Sequence, residues 1–205
     1  MGQDMKIYDI SQEVFSCRVY EGDPSPRRET LCSMEQGDPY NLTAFFMCAH
    51  NGTHVDAPAH FVRDGETVER LPLYKTVGAA YVAAHDGTLC AEDAADVLRQ
   101  AREADPDASR RILIKGDATV TPEAAAVFAE AAIDLLGVES QTVGPEDAPM
   151  ATHLTLLGAG TVLLEGLRLA QVQEGAYFLC AAPLSLGGAD GAPCRALLLS
   201  DEDDG

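Results

Sequence analysis

His50-Asn-Gly-Thr-His-Val-Asp-Ala-Pro-Ala-His-Phe61 is the stretch on which the reading of this chain turns. Three of the five histidines, His50, His54 and His60, fall within it, together with Asp56. Imidazole and carboxylate together form a donor set for a transition metal, zinc or manganese rather than calcium. His54 and Asp56 are two apart, so an extended segment points both to one side. The four-residue step from His50 to His54 would suit a helix, but Gly52 and Pro58 oppose a long one. The stretch therefore predicts a turn feeding an irregular strand, with the polar groups gathered in one place. A polar loop whose histidines only satisfy backbone carbonyls would account for one such residue, not for this cluster. Cys48, two residues before His50, is the weaker candidate ligand.

Around this stretch the chain has the composition of a globular protein. Its 205 residues suit one domain, 1–205, with a sizeable core. Hydrophobic residues make up 46% and charged residues 23%, which excludes the disordered and fibrous classes. The net charge of −19, from 33 acidic against 14 basic residues, argues against nucleic acid or an anionic membrane as partner. Part of that charge sits in Asp201-Glu-Asp-Asp, so 201–205 is expected to be a flexible, solvated tail. The N-terminus lacks the apolar run of an export signal, and no segment approaches the ~20 apolar residues of a membrane span. A cytoplasmic location follows as the expectation. The six cysteines (Cys17, Cys32, Cys48, Cys90, Cys180, Cys194) show no Cys-x-x-Cys spacing and are expected as reduced, buried small hydrophobes.

The pattern of elements is mixed. Met5 to Ile10 and Phe15 to Tyr20 read as strands, followed by a break at Glu21-Gly-Asp-Pro-Ser-Pro. Residues 40–48 read as a buried strand leading into the histidine stretch, and Val77 to Ala84 as another. Ala91 to Glu103 sets Ala94, Val97, Leu98 and Ala101 at helical spacing, with Pro106 beyond its end. Ile112 to Ile114 is a short buried strand. Thr121-Pro-Glu marks a helix start, with Thr121 as N-cap and Pro122 at the first helical position. That helix is expected to bury Val127, Phe128, Ala131 and Leu135 and to stop at Gly137. Ala148 to Leu157 reads as helical and carries His153. Thr161 to Leu164, Ala176 to Ala182 and Arg195 to Leu199 read as the last strands. Alternation of this kind predicts an α/β architecture.

The histidine stretch closely resembles the signature of the cyclase family of metal-dependent hydrolases, which includes bacterial kynurenine formamidases and isatin hydrolases. The resemblance covers nearly the whole chain. Tyr20-Glu-Gly-Asp-Pro is similar to the family's Tyr-Pro-Gly-Asp-Pro turn, with Glu21 in place of a proline. Gly137-Val-Glu-Ser resembles a Gly-Ile-Asp-Ser segment, and Ala182-Pro-Leu-Ser-Leu-Gly-Gly-Ala-Asp-Gly-Ala-Pro-Cys-Arg-Ala matches strongly again. Formamidase members often carry a tryptophan near the substrate; this chain has none. The resemblance implies a mixed sheet in a fold like the swivelling β/β/α domain, and a homodimer or larger homo-oligomer.

The resemblance also implies the rest of the metal site, because His153 followed twelve residues later by Glu165 is similar to its second half. A carboxylate closing the apolar run Thr161-Val-Leu-Leu-Glu is costly unless paired or bound to a cation. A salt bridge to Arg168 is the competing role for Glu165, and a solvated helix face the one for His153. Asp190 and Arg195 suit structural pairing as well as substrate contact, and His85, before Asp-Gly in a turn, is given no role. His50, His54, Asp56, His153 and Glu165 are five candidate ligands, more than one open zinc site takes. They fit two divalent ions bridged by Asp56, which leaves His60 as general base or acid. The expected reaction is hydrolysis of an amide, formamide or lactam, with His60 carrying a proton to the leaving nitrogen. N-formylkynurenine is the first substrate implied and an isatin-like cyclic amide the second, while a non-enzymatic metal-binding protein would lack some of these residues.

Overall fold

The computed structural model describes residues 5–201. Its strands are β1 (Met5–Asp9), β2 (Arg27–Cys32), β3 (Leu42–Phe46), β4 (His54–Asp56), β5 (Val77–Ala84), β6 (Gly87–Leu89) and β7 (Arg111–Lys115). They continue with β8 (Ala118–Val120), β9 (Leu135–Val138), β10 (Val162–Glu165), β11 (Gly175–Cys180), β12 (Gly191–Pro193) and β13 (Leu197–Asp201). The helices are α1 (Ala91–Ala104), α2 (Pro122–Glu130) and α3 (Met150–Gly158).

Nine strands form one sheet in the order β1-β13-β11-β5-β7-β9-β10-β4-β12. Its centre, β5-β7-β9-β10, is parallel, and both flanks are antiparallel. A parallel centre must be covered on both faces, and the side-chain alternation shows how. Tyr81, Ile112, Ile114, Leu136 and Leu163 pack with the buried faces of α1, α2 and α3. Their neighbours Val82, Leu113, Leu135 and Leu164 point the other way, onto Val68, Leu71, Leu167 and Leu169 of the connecting segments. β6 and β8 form a small parallel pair, and β2 and β3 a separate antiparallel ribbon.

Helix α1 buries Ala94, Val97, Leu98 and Ala101, and the Thr121 hydroxyl accepts the Ala124 N–H as the N-cap of α2. Four expectations fail. Phe15 to Tyr20 is not a strand. Val14–Ser16 is a single 3-10 turn, because the Glu13 carboxylate accepts both the Ser16 N–H and its hydroxyl. The strand at 40–48 is not buried: β3 pairs only with β2, and Phe45 and Phe46 are 61% and 44% exposed. Helix α2 stops at Glu130, Ala132 takes a left-handed φ of 52°, and Leu135 re-emerges in β9 rather than on the helix. The six cysteines are free but only half-buried. At the C-terminus Asp201 still pairs with Met5 across β13 and β1, while 202–205 lie outside the described residues.

Candidate active site

Sheet register assembles the site. β4 lies between β10 and β12, with His54 opposite Glu165 and Asp56 opposite both Leu163 and Gly191. Residues two apart on a strand share a face. Leu163 packs under the helices beside Leu156 and Leu157, so His54, Asp56 and Glu165 face that layer too. His153 lies three and four residues before those two leucines on α3, and on a helix such residues share a face. Its imidazole therefore comes down onto the sheet from above.

The groups converge closely. His54 Nε2 lies 3.3 Å from Asp56 Oδ1 and 3.4 Å from Glu165 Oε2. His153 Nε2 lies 3.3 Å from Glu165 Oε1 and 3.8 Å from Asp56 Oδ2. His50 Nδ1 lies 2.8 Å from Asp56 Oδ1, and His60 Nε2 stands 4.0 Å from Asp56 Oδ2. The His60 ring stacks on His50 with centroids 4.0 Å apart. Gly191 makes room for this: a Cβ there would lie 2.7 Å from His50 Cε1.

A second layer orients these rings. His54 Nδ1 donates to Gly52 O at 3.0 Å and His153 Nδ1 to Pro149 O at 2.9 Å. In the neutral imidazole each bond leaves Nε2, without its hydrogen, to face the carboxylates. The Gln141 amide donates to Gly52 O and His50 O, and the Val143 N–H donates to Glu165 Oε1 at 2.7 Å. Asp190 Oδ2 accepts from His50 Nε2 at 2.9 Å and from His60 Nδ1 at 3.1 Å.

Electrostatics follow from this packing. Burial works against a charged His54, but the nearby Asp56 and Glu165 carboxylates outweigh it and carry its pKa up to about 10. His50 and His153 rise for the same reason, against burial, through Asp56 and Glu165 respectively. Burial would raise Asp56, yet His50 and His54 hold it well below the usual carboxylate range.

The donor set suits a metal. His54 Nε2 and Asp56 Oδ2 are fully enclosed and have no hydrogen-bond partner, an arrangement that costs free energy unless something else binds those atoms. Two triads, His54–Asp56–Glu165 and His50–Asp56–His60, each bring one ligand atom per residue within 4.8 Å of one another, and they share Asp56. The histidines and Glu165 border a cavity of about 200 Å³, whose other walls are Tyr20, Asp23, Phe61, Gln141 and Thr142.

All six expected residues are thus brought together, with His60 at the opening. Glu165 does not pair with Arg168, which instead donates to Gln12 Oε1 and nearby carbonyls. His153 is 2% exposed and not a solvated surface histidine. Cys48 is not part of either triad, and its Sγ faces Asp23 at 4.0 Å. Arg195 pairs with Asp9, tying the chain before β13 to β1, and His85 sits in its turn against Thr88 O. Gln141 and the positioning role of Asp190 carried no signal in the sequence beyond the glycine-rich match around Asp190.

The family described as "Putative cyclase" matches residues 8–145. A kynurenine formamidase of Salinibacter ruber (strain DSM 13855 / M31) is 34% identical over 209 residues, spanning 95% of this chain and 97% of its own. The solved structure of a "potential metal-dependent hydrolase with cyclase activity" superposes with a TM-score of 0.81 at 32% identity, covering 97% of this chain and all of that one. Isatin hydrolase A from Labrenzia aggregata shares the fold, with a TM-score of 0.73 at 22% identity over 97% of this chain and 94% of its own. A match of this extent, over the stretch that builds the site, means that the chain belongs to the cyclase family.

Proposed function

We propose that the chain is a metal-dependent hydrolase of carbon–nitrogen bonds other than peptide bonds, acting on a small amide, formamide or lactam. One observation carries this: His54 Nε2 and Asp56 Oδ2, enclosed and without a hydrogen-bond partner among the described residues, lie amid further imidazoles and Glu165 at the wall of a cavity. The curated relatives named kynurenine formamidase supply the reaction class and make N-formylkynurenine the first substrate to test.

His50, His54, Asp56, His153 and Glu165 would hold two divalent ions, zinc first and manganese second. When bound, such ions supply Lewis acidity and an activated water near neutral pH. The protein's own groups do the rest. Gly52 O and Pro149 O fix the His54 and His153 tautomers, and the Val143 N–H holds Glu165 in place. Asp190 holds His60 through Nδ1, which leaves Nε2 turned toward Asp56 to pass a proton to the leaving nitrogen. Phe61 stacks on His153 at 4.5 Å and packs edge-on to His60 at 4.6 Å, which gives the cavity an apolar wall.

A second reading of His60 makes it a ligand, and its place in the His50–Asp56–His60 triad favours that. A cyclic amide is the second substrate class, supported by the isatin hydrolases that share the fold. We assign the chain to a cytoplasmic homodimer or larger homo-oligomer. Leu31, Phe45 and Phe46 on the β2–β3 ribbon are exposed, and a lone two-stranded ribbon is only marginally stable in water. Metal analysis of the purified protein, paired with an amide and lactam panel, tests the proposal. About two ions per chain and turnover of a panel member are expected. One tightly held ion, or no hydrolysis in the loaded protein, would overturn it.

A further inference from the structure

We propose that Asp23 is a cation-recognition residue of this cavity, its carboxylate taking a primary ammonium group on the substrate. For the reaction this rests on the hydrolase reading; for binding it does not. Asp23 sits in a tight turn whose N–H donates to Tyr20 O at 3.1 Å, with Gly22 at a φ of 96°. That turn is tied down. The Tyr20 hydroxyl donates to Glu146 O at 2.8 Å, and Arg18 pairs with the Glu146 carboxylate. The half-buried Asp23 carboxylate is thereby held at the cavity wall beside Tyr20.

The charges around it point to its ligand. Among the described residues, no lysine or arginine lines this cavity. Asp56 and Glu165 are engaged by His50, His54 and His153, and Asp190 by His50 and His60. Arg27, the nearest cation along the chain, lies over the Phe46 ring, and Arg18 is taken by Glu146. Asp23 has no ion pair among the described residues, and its neighbour is the Cys48 thiol at 4.0 Å, a weak donor. It is not part of either metal-ligand triad. A carboxylate so placed, with its charge uncompensated, favours a cationic donor over a neutral one and opposes an anion. The Phe61 ring supplies the apolar wall for an aryl or alkyl body, so the ligand class is an amide bearing a basic amine.

The test uses the metal-loaded full chain and a matched pair, para-aminoethyl formanilide and para-hydroxyethyl formanilide. The amine is expected to have the higher kcat/KM by about tenfold to a hundredfold, the scale of a charge-assisted hydrogen bond. Asp23→Asn should bring that ratio close to one, chiefly through KM. Glu21→Gln, which removes the same charge away from this cavity's wall, should preserve the ratio. In parallel, calorimetry with phenethylamine should show binding that weakens at least tenfold in Asp23→Asn. A ratio that survives Asp23→Asn, or falls equally in Glu21→Gln, overturns the proposal, as does phenethylamine binding indifferent to Asp23. If neither formanilide is hydrolysed while phenethylamine binding still depends on Asp23, the recognition site stands and the amide-hydrolase reading falls.

Discussion

Gly191→Ala should disable the site without changing the chemistry of any group that builds it. Gly191 lies opposite Asp56 in the β4–β12 ladder, and the His50 imidazole occupies the space its missing side chain leaves. A Cβ there would stand 2.7 Å from His50 Cε1 and 2.8 Å from Val55 O. Carbon pairs pack at about 3.5–4.0 Å, so the ring must retreat by about 1 Å. Val55 O cannot retreat in its place, because it is backbone of a strand hydrogen-bonded on both sides. Overpacking of this kind costs about 1–3 kcal/mol, which for a chain this size lowers Tm by roughly 2–12 °C. The function should suffer more, since a misplacement of about 1 Å in a reacting constellation costs on the order of 10²-fold in rate. The assay is metal content after loading, kcat/KM on the best panel substrate, and thermal melting. Gly187→Ala serves as the control, because a Cβ there meets nothing within 4 Å. Normal metal content and turnover in Gly191→Ala would show that the position of His50 does not matter to the site.

His54→Ala should lose metal, activity and metal-dependent thermal stability together, whereas His60→Ala should keep its metal and lose about 10²–10⁴ in rate; metal loss in His60→Ala would make His60 a ligand. The metal-free chain should lose stability as pH rises. The folded His54 pKa of about 10 lies above its ordinary 6.5, so its stabilisation is full below 6.5 and disappears through about 10. Melting curves of stripped and loaded protein across that range should therefore converge at low pH and separate at high pH, while metal loading near neutral pH should release protons. Formylkynurenine should be turned over less well than some smaller or differently shaped amide, because no tryptophan lines the cavity; a clear preference for formylkynurenine in the panel would refute this.

The fold was legible where local chemistry decides it. Thr121-Pro announces α2 because an N-cap hydroxyl and a proline both suit a first turn. The spacing of Ala94, Val97, Leu98 and Ala101 announces α1 in the same way. Legibility ended where a partner element decides. Leu135-Leu-Gly-Val reads equally as the end of a helix or a buried strand, since both faces are apolar. Only the slot between β7 and β10 makes it a strand. The run before the histidine stretch is apolar enough for a core strand, yet it pairs with β2 and stays exposed. Apolarity marks a surface to be covered and does not say by what.

The site divides along the same line. His50, His54, Asp56 and His60 announce themselves because four potential metal donors crowd into eleven residues. His153 and Glu165 lie about a hundred residues later, and only resemblance to a family joins them to the first four. In the folded chain, what joins the two halves is register. β4 pairs with β10 so that His54 meets Glu165, and slipping that pairing by one residue would turn the carboxylate to the opposite face. The core fixes that register without reference to catalysis, because Val55 and Leu164 must face one hydrophobic layer while Leu163 faces the other. The packing that stabilises the sheet is thus the packing that aims the ligands. Asp190 and Gln141 escape a sequence reading for the same reason. Each acts through a bond to a residue some ninety or more positions away, and only the folded ladder brings those partners together.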